Sequence, residues 1–344
     1  MAALTQVQDT SLNEVERAAC AACCESFEPT PEDINPVVAS LLYKITEGIV
    51  QRGGVTGCTV ERGRQLQRFA EKCLPPVPAG DDDGFDTFSR YQQQSGRLSL
   101  ERIYDLIPRP ATQSELTVRN WAVGVTTAPR RQATLDVCLD SLFHAGWTEP
   151  VIFQDGEIAP SEKAANCPTC IRSPKTGAFP NFFLALVELY MRNADADAYM
   201  LIQDDAVFPR EAPIREYLEA ILWPGNEPCI VSLYTAAGSN GPCAGWHTLP
   251  ARANVNGAVA LLYPRNLLKQ FITDRVVLEY RERSVDRKLA GFPDAVRDWK
   301  DTHGIPVFLP TPSLVQHIGQ TSSIWSHGRA VGDRYADQFL GDLS

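Results

Sequence analysis

The sequence predicts an α/β protein with a doubly wound, mostly parallel sheet flanked by helices. From residue 117 onward, short apolar runs alternate with amphipathic helical segments. Residues 118–154 hold two apolar runs around one helical segment, which is the strand–helix–strand order that builds parallel sheets. Hydrophobic residues make up 44% of the 344 residues and charged residues 22%, as in ordinary globular proteins. Global disorder and collagen-like repeats are therefore excluded.

The individual elements follow from the spacing of apolar residues. One helix is predicted where Leu135, Cys138, Leu139 and Leu142 repeat at helical intervals, and others after Pro180, at 214–221 and after Pro264. Compact apolar runs predict the strands. These runs are Trp121 to Val125, Pro150 to Phe153, Ala198 to Ile202, Cys229 to Tyr234 and Val255 to Tyr263.

The chain before this pattern divides into two parts. Residues 1–79 form a small helical region, with helices expected at 12–26, 36–51 and 60–72. Residues 74–84 are rich in Pro, Gly and Asp, which interrupt regular structure and mark a boundary. Residues 80–116 then form a linker and one packing helix, from Leu98 to Ile107. We expect the main domain to occupy residues 117–344.

The ten cysteines leave three interpretations open. The N-terminal region carries Cys20, Cys23, Cys24, Cys58 and Cys73. Zinc at these thiols is possible, but Cys167 and Cys170 are too distant in sequence to complete a zinc ribbon, so buried free thiols are favoured. A redox role is open for Cys167 and Cys170.

The net charge and the amino-terminal residues indicate which partners and which cellular location to expect. The formal net charge is -10, which disfavours nucleic acid as a partner. No apolar run reaches the length of a membrane span, and residues 1–6 lack the features of a signal peptide. We therefore expect a cytoplasmic protein with reduced thiols.

Polar residues follow the predicted strands at the edge of the sheet where ligands bind. Asp204 and Asp205 come directly after the central apolar run, where two adjacent carboxylates need a cation, an Arg or solvent. The loop after the first strand offers hydroxyls and guanidinium groups suited to a diphosphate. Its candidate residues are Thr126, Thr127, Arg130 and Arg131. Asp155 follows the second strand and is a candidate for a ribose hydroxyl or a base N–H.

A late histidine adds a candidate ligand. His317 precedes Gly319 and a run of hydroxyl residues, after a short predicted strand. An imidazole in this position can bind a metal ion or donate to a phosphate, although a lone histidine is more often structural.

Four segments together resemble a GT-A-fold glycosyltransferase, most closely the N-acetylglucosaminyltransferase IV type. They are Thr126-Thr127-Ala128-Pro129-Arg130-Arg131, the run from Tyr199 to Asp205, Asn256 to Tyr263, and Pro312 to Gly319. The resemblance covers residues 117–325 and implies a GT-A-like (Rossmann-like) fold. The acidic triplet of that family is reduced here, because Gln203 stands at its first position.

The resemblance implies a reaction and its ligands. A nucleotide sugar, expected to be a UDP-sugar, is the donor, and a glycan or another hydroxyl compound is the acceptor. Asp205 and His317 would hold manganese or magnesium at the two phosphates, while Asp204 would hold ribose or sugar hydroxyls.

An inverting transfer also needs a base for the acceptor hydroxyl, and Asp286 is the candidate. Ser284 is a plausible N-cap, which would place Asp286 in the first turn of a helix beginning before Leu289. Asp294 and Asp298 are the alternatives.

The sequence motifs leave two other functions open. A nucleotidyltransferase uses similar carboxylates and a cation, but the glycine-rich loop usual after its first strand is absent. A non-catalytic nucleotide- or carbohydrate-binding module is the second, and Gln203 supports it.

Overall fold

The computed structural model describes residues 42, 46, 59–73, 87–130, 132–158, 160–255, 257–286, 292–319 and 335–343. The chain forms two compact units, Met1–Asp82 with Trp325–Val331 and Asp83–Ile324 with Gly332–Ser344. In the first unit, helix α1 (Val60–Cys73) confirms the helix predicted at 60–72. The other two helices predicted there, and Cys20, Cys23, Cys24 and Cys58, lie outside the described residues, except that Leu42 and Thr46 are helical.

The second unit contains the sheet and its helices. Its strands are β1 (Trp121–Thr127), β2 (Val151–Asp155), β3 (Thr169–Arg172), β4 (Ala198–Gln203), β5 (Ala206–Val207), β6 (Ile230–Ser232), β7 (Gly245–Thr248), β8 (Ala260–Pro264), β9 (Val307–Thr311) and β10 (Gln316–His317). Its helices are α2 (Thr87–Gln93), α3 (Leu100–Leu106), α4 (Leu135–His144), α5 (Ala178–Arg192), α6 (Ile214–Ile221), α7 (Arg265–Thr273), α8 (Arg275–Asp286) and α9 (Phe292–His303). Short 3₁₀ turns occur at Ala164–Asn166 and Leu340–Leu343.

Eight of these strands form one sheet in the order β3-β2-β1-β4-β8-β6-β9-β7. The pairs β2–β3, β1–β2, β1–β4 and β6–β9 are parallel, whereas β8 runs antiparallel to both β4 and β6, and β7 to β9. The structure therefore confirms an α/β protein with a mostly parallel sheet, and it adds two reversed strands. Strands β3 and β7 lie at the two edges and were not predicted, because their short polar sequences carry no apolar run.

Alternating residues of the central strands face two separate cores. Val123 of β1 and Met200 of β4 join one core, whereas Ala122 and Leu201 join the other. Helices α4 and α6 cover the first core, and α5, α7 and α9 cover the second. This arrangement explains why the central strands read as continuous apolar runs: both of their faces are buried.

One glycine allows the central strands and helix α5 to pack closely. A Cβ atom at Gly124 would lie 2.8 Å from Phe153 and 2.9 Å from both Leu189 and Leu201. Such distances are below van der Waals contact, so a larger residue at Gly124 would push the helix from the sheet.

The strand order reverses beside β1. From β1 the chain passes to β2 and β3 on one side, and then returns to β4 on the other side. The carboxyl ends of β1 and β4 are neighbours, with Thr126 paired to Gln203. Open α/β sheets bind their ligands in the crevice at such a switch point.

Among the described residues, no helix is long and apolar enough to cross a membrane.

Truncation of Leu201 tests the importance of the central packing. Leu201 is fully buried, whereas Leu116 is 45% exposed. We expect Leu201→Ala to lower the free energy of unfolding by about 2–5 kcal/mol, because it removes buried contacts and leaves a cavity. Leu116→Ala is the matched control and should cost less than about 1 kcal/mol. Urea unfolding measures both, and equal losses would contradict the assignment of Leu201 to the core.

Candidate functional site

The candidate site lies at the carboxyl ends of β1 and β4. Thr127 ends β1, and Asp204 and Asp205 follow the last residue of β4. Strand β5 continues from Asp205 and pairs antiparallel with β10, which sets His317 opposite Ala206. The backbone N–H of Ile318 also donates to the carbonyl of Asp205 at 2.8 Å. Two distant parts of the sequence are therefore fixed side by side.

Arg130 bridges the two aspartates. Its Nη1 donates to Asp205 Oδ2 at 2.8 Å, and its Nη2 donates to Asp204 Oδ1. Thr127 Oγ1 donates to Asp204 Oδ2 at 2.6 Å, and His317 Nε2 lies 3.2 Å from Asp205 Oδ2. The side chains of the four charged or titratable residues are all 10% exposed or less. We call Thr127, Arg130, Asp204, Asp205 and His317 the acidic cluster.

Two polar atoms of the acidic cluster have no partner among the described residues. Asp205 Oδ1 is buried without a donor, and Arg130 Nε is buried without an acceptor. A buried polar group without a hydrogen bond is costly, because it loses its water without replacement. The cluster therefore has one free acceptor and one free donor to offer a ligand.

Gly319 packs against the acidic cluster and Cys138 contacts the end of β4, and neither residue was a candidate. A Cβ at Gly319 would lie 2.5 Å from Asp205 Oδ2 and 3.1 Å from the His317 ring, so only glycine fits there. Cys138 of α4 is fully buried, and its thiol lies 3.5 Å from the carbonyl of Gln203. Gly319 follows His317 by two residues, a spacing that the sequence displays; nothing in the sequence separates Cys138 from other core residues.

The two aspartates differ in their ionisation. Burial raises the pKa of Asp204 to about 7, with Arg130 opposing the rise and Asp205 adding to it. Burial also disfavours the charged form of Asp205, but His317 and Arg130 outweigh it, and the pKa of Asp205 lies well below its usual range. Asp204 is therefore the member of the pair that takes up a proton near neutral pH.

The remaining predicted site residues, Thr126, Asp155 and Arg131, do not belong to the acidic cluster. Thr126 donates its hydroxyl to the carbonyl of Ile202 at 3.2 Å and joins β1 to β4. Asp155 accepts hydrogen bonds from the backbone N–H groups of Thr176 at 2.6 Å and Gly177 at 3.0 Å, just before α5. Its carboxylate thus holds the turn that precedes α5. The predicted contact of Asp155 with a ribose hydroxyl or a base N–H stays a prediction. Arg131 lies outside the described residues.

The helix predicted to start near Asp286 begins earlier. Helix α8 starts at Arg275, and Asp274 caps it by accepting from the N–H of Val276 at 2.8 Å. Ser284 therefore lies inside α8 and is not an N-cap, and Asp286 is the twelfth residue of the helix instead of a first-turn residue. The side chain of Asp286 is outside the described part of the structure, so its predicted role as the base stays a prediction.

The alternative bases are held in ion pairs. Arg297 contacts Asp294 at 2.9 Å and Asp298 at 2.8 Å, all within α9. Tyr280 of α8 also donates to Asp298. No contact of these two aspartates with the acidic cluster occurs among the described residues.

A metal-holding group is not visible among the described residues. Neither the acidic cluster nor the cysteines outside the N-terminal region belong to a group of three His, Cys, Asp or Glu side chains arranged to hold a metal ion there, so the predicted metal role of Asp205 and His317 stays a prediction. Cys167 and Cys170 are both free thiols, one before β3 and one within it. The redox role of this pair stays a prediction.

No protein-family model matches the chain, and no curated protein matches its sequence. The most distinctive feature of the site is the buried pair Asp204 and Asp205 at the switch point of the sheet.

The raised pKa of Asp204 predicts a specific pH dependence of stability. Between the ordinary value of 3.8 and about 7, the folded chain holds a proton on Asp204 that the unfolded chain releases. Folding therefore loses stability through this group as pH rises across that window. Asp204→Asn removes the titration. We expect the free energy of unfolding of the variant, relative to the parent protein, to increase from pH 5 to pH 8 in urea unfolding.

Asp195→Asn is the control, because Asp195 is 87% exposed in a surface pair with Arg265. Its pH profile should follow that of the parent protein. Parallel profiles for Asp204→Asn and the parent protein would contradict the raised pKa.

Proposed function

We propose that this chain is a glycosyltransferase with a GT-A-like fold. Its donor is a nucleoside-diphosphate sugar, expected to be a UDP-sugar, and its acceptor is a glycan or another compound with a hydroxyl group. The observation that supports this best is the buried Asp204–Asp205 pair at the junction of β1 and β4. A nucleotide in that crevice would meet carboxylates, a guanidinium and hydroxyls at one edge of the sheet.

The residues of the acidic cluster suit a divalent cation in one respect. Asp205 Oδ1 is a buried carboxylate oxygen without a donor, and a cation is a natural partner for it. Asp205 and His317 would hold manganese or magnesium, with Asp204 beside them. When bound, such an ion supplies the charge that neutralises the departing nucleoside diphosphate.

Different residues of the acidic cluster would bind different parts of the donor. Arg130 has donors in a planar fork, a geometry that matches two phosphate oxygens. Asp204, oriented by the hydroxyl of Thr127, can accept a hydrogen bond from a ribose or sugar hydroxyl. Burial of the cluster strengthens each of these interactions, because little water competes with them.

A second candidate is a non-catalytic module that binds nucleotides or carbohydrates. Arg130 already neutralises charge on both aspartates, and such a self-contained cluster can serve binding without catalysis. The two candidates differ in turnover, since only the transferase releases UDP from a UDP-sugar.

Release of UDP tests the proposed function. The full chain is incubated with UDP-sugars and Mn²⁺, with and without EDTA, and free UDP is measured. We expect release with the parent protein and a loss of at least about 10²-fold with Asp205→Asn, because charge stabilisation in the cleft is lost. Asp195→Asn, a surface substitution, should behave as the parent protein. UDP binding without release would favour the binding module, and neither binding nor release would exclude both.

The base is tested by Asp286→Asn. This substitution keeps the shape of the side chain and removes its ability to take a proton. If Asp286 deprotonates the acceptor hydroxyl, kcat should fall by about 10²–10⁴-fold while the Kd for UDP stays unchanged. Asp294→Asn and Asp298→Asn test the alternative bases in the same assay, and Asp195→Asn at an exposed surface pair is the control. Normal turnover in Asp286→Asn would exclude this residue as the base.

A further inference from the structure

We propose that the protein has a second ligand site, a cleft at the amino end of β1, and that this cleft binds one sugar ring of a neutral saccharide. The cleft is lined by residues at the start of β1, by the segment that follows α4, and by Arg215 of α6. It lies at the opposite end of the strands from the acidic cluster, since β1 runs from Trp121 to Thr127 and spans about 20 Å. This inference goes beyond the proposed function and does not depend on it.

The backbone beside the cleft is held by hydrogen bonds. Asp197 Oδ2 accepts from the backbone N–H groups of Arg119 and Asn120, both at 2.9 Å. The backbone N–H of Asp197 donates in return to the carbonyl of Asn120, also at 2.9 Å. The carbonyl of Asn193 accepts from the hydroxyl of Tyr199 at 2.6 Å. These bonds use only the backbone of Arg119, Asn120 and Asn193, all of which line the cleft.

The polar side chains that line the cleft are available to a ligand. Among the described residues, no hydrogen bond or ion pair involves the side chains of Arg119, Asn120, Asn193 or Glu149. A single exposed polar side chain without a protein partner is ordinary, because water satisfies it. Four such side chains around one cleft, on a backbone that is already held in place, can exchange their water for one ligand.

Two tryptophans form the apolar part of the cleft. The rings of Trp121 and Trp147 meet edge to face, with their centroids 5.2 Å apart. Trp121 Nε1 donates to Glu219 at 2.9 Å, whereas Trp147 Nε1 is buried without an acceptor among the described residues. Trp147 is 2% exposed, so this unpaired donor is costly. An acceptor on a ligand in the cleft would satisfy it.

The charges around the cleft favour a neutral ligand. Arg215 is already paired with Glu219 at 2.8 Å, and Arg119 and Glu149 add one charge of each sign. An ion of either sign would therefore be attracted by one of these two residues and repelled by the other. A hydroxyl group both donates and accepts, so a ring with several hydroxyls matches the mixed donors and acceptors. The C–H groups of such a ring also suit the indole surface.

The size of the cleft limits the ligand to one ring. Its volume of about 280 Å³ lies just below the range of about 300–1,000 Å³ that drug-sized ligands occupy. Arg119 and Glu149 are exposed, so the remainder of a longer glycan can extend from the bound ring into solvent. A free monosaccharide and a terminal unit of a glycan share this chemistry, and the experiment below distinguishes them.

An NMR titration of the isotopically labelled full chain tests the site. The probes are glucose, galactose, mannose and N-acetylglucosamine, each as the free sugar and as its methyl glycoside. The chain has six tryptophans, and the indole N–H signal of Trp147 is identified by its loss in Trp147→Phe. We expect this signal to shift with at least one sugar, with a Kd on the order of 1 mM, as for a weak ligand of about 12 non-hydrogen atoms. Binding of methyl glycosides supports terminal glycan units as the ligand, and binding of free sugars alone supports monosaccharides.

Variants of two exposed residues locate the bound sugar. Arg119→Ala and Glu149→Ala should each weaken binding by about threefold to tenfold, because each removes a hydrogen-bonding group from the cleft. Arg275→Ala is the matched control, since Arg275 is 91% exposed in a surface pair on α8, and its Kd should equal that of the parent protein. A sugar that binds both cleft variants as tightly as the parent protein overturns the site. A Trp147 signal that no sugar shifts also overturns it, whatever the result for UDP release.

Discussion

The candidate site is organised around two carboxylates that are buried next to each other at the end of a central strand. Asp204 and Asp205 lose most of their water and repel each other, so the neighbouring residues must compensate them. Arg130 brings a positive charge to both, Thr127 donates to Asp204, and His317 lies against Asp205. Buried charges without such partners would cost more than a single domain can spare.

The sheet is what makes these contacts possible. Arg130 reaches the aspartates because β1 and β4 are neighbours, and His317 reaches Asp205 because β10 pairs with β5. The two cores bury both faces of β1 and β4, so the cluster lies at the ends of packed strands, with the aspartates in the turn between β4 and β5 and Arg130 in the loop after β1. Such packing suits a site that holds charge in a dry cleft, because groups already in position need little reorganisation.

Adjacent residues of the same type can differ greatly in their chemistry. Burial dominates at Asp204 and raises its pKa, whereas His317 and Arg130 together lower that of Asp205. Asp205 thus stays an anion, and Asp204 is able to exchange a proton near neutral pH. This division suits the proposed roles, in which Asp205 attracts positive charge and Asp204 contacts a hydroxyl.

The α/β fold class, the main helices, and the position of Asp204 and Asp205 after the central strand were predictable from local patterns, because buried strands and amphipathic helices have characteristic spacings of apolar residues. The strand pairings and the side-chain contacts of the site were not predictable in this way. The antiparallel β8 and the edge strands β3 and β7 depend on pairing with distant residues, which no local pattern encodes. The start of α8 was mispredicted because Ser284 is a good N-cap locally, although Asp274 caps the helix that forms. Asp155 accepts from the backbone just before α5 because that helix begins beside the end of β2. Arg130 bridges both aspartates because β1 and β4 are neighbours in the sheet. Contacts between residues far apart in sequence arise when the sheet assembles, so only the assembled sheet fixes them.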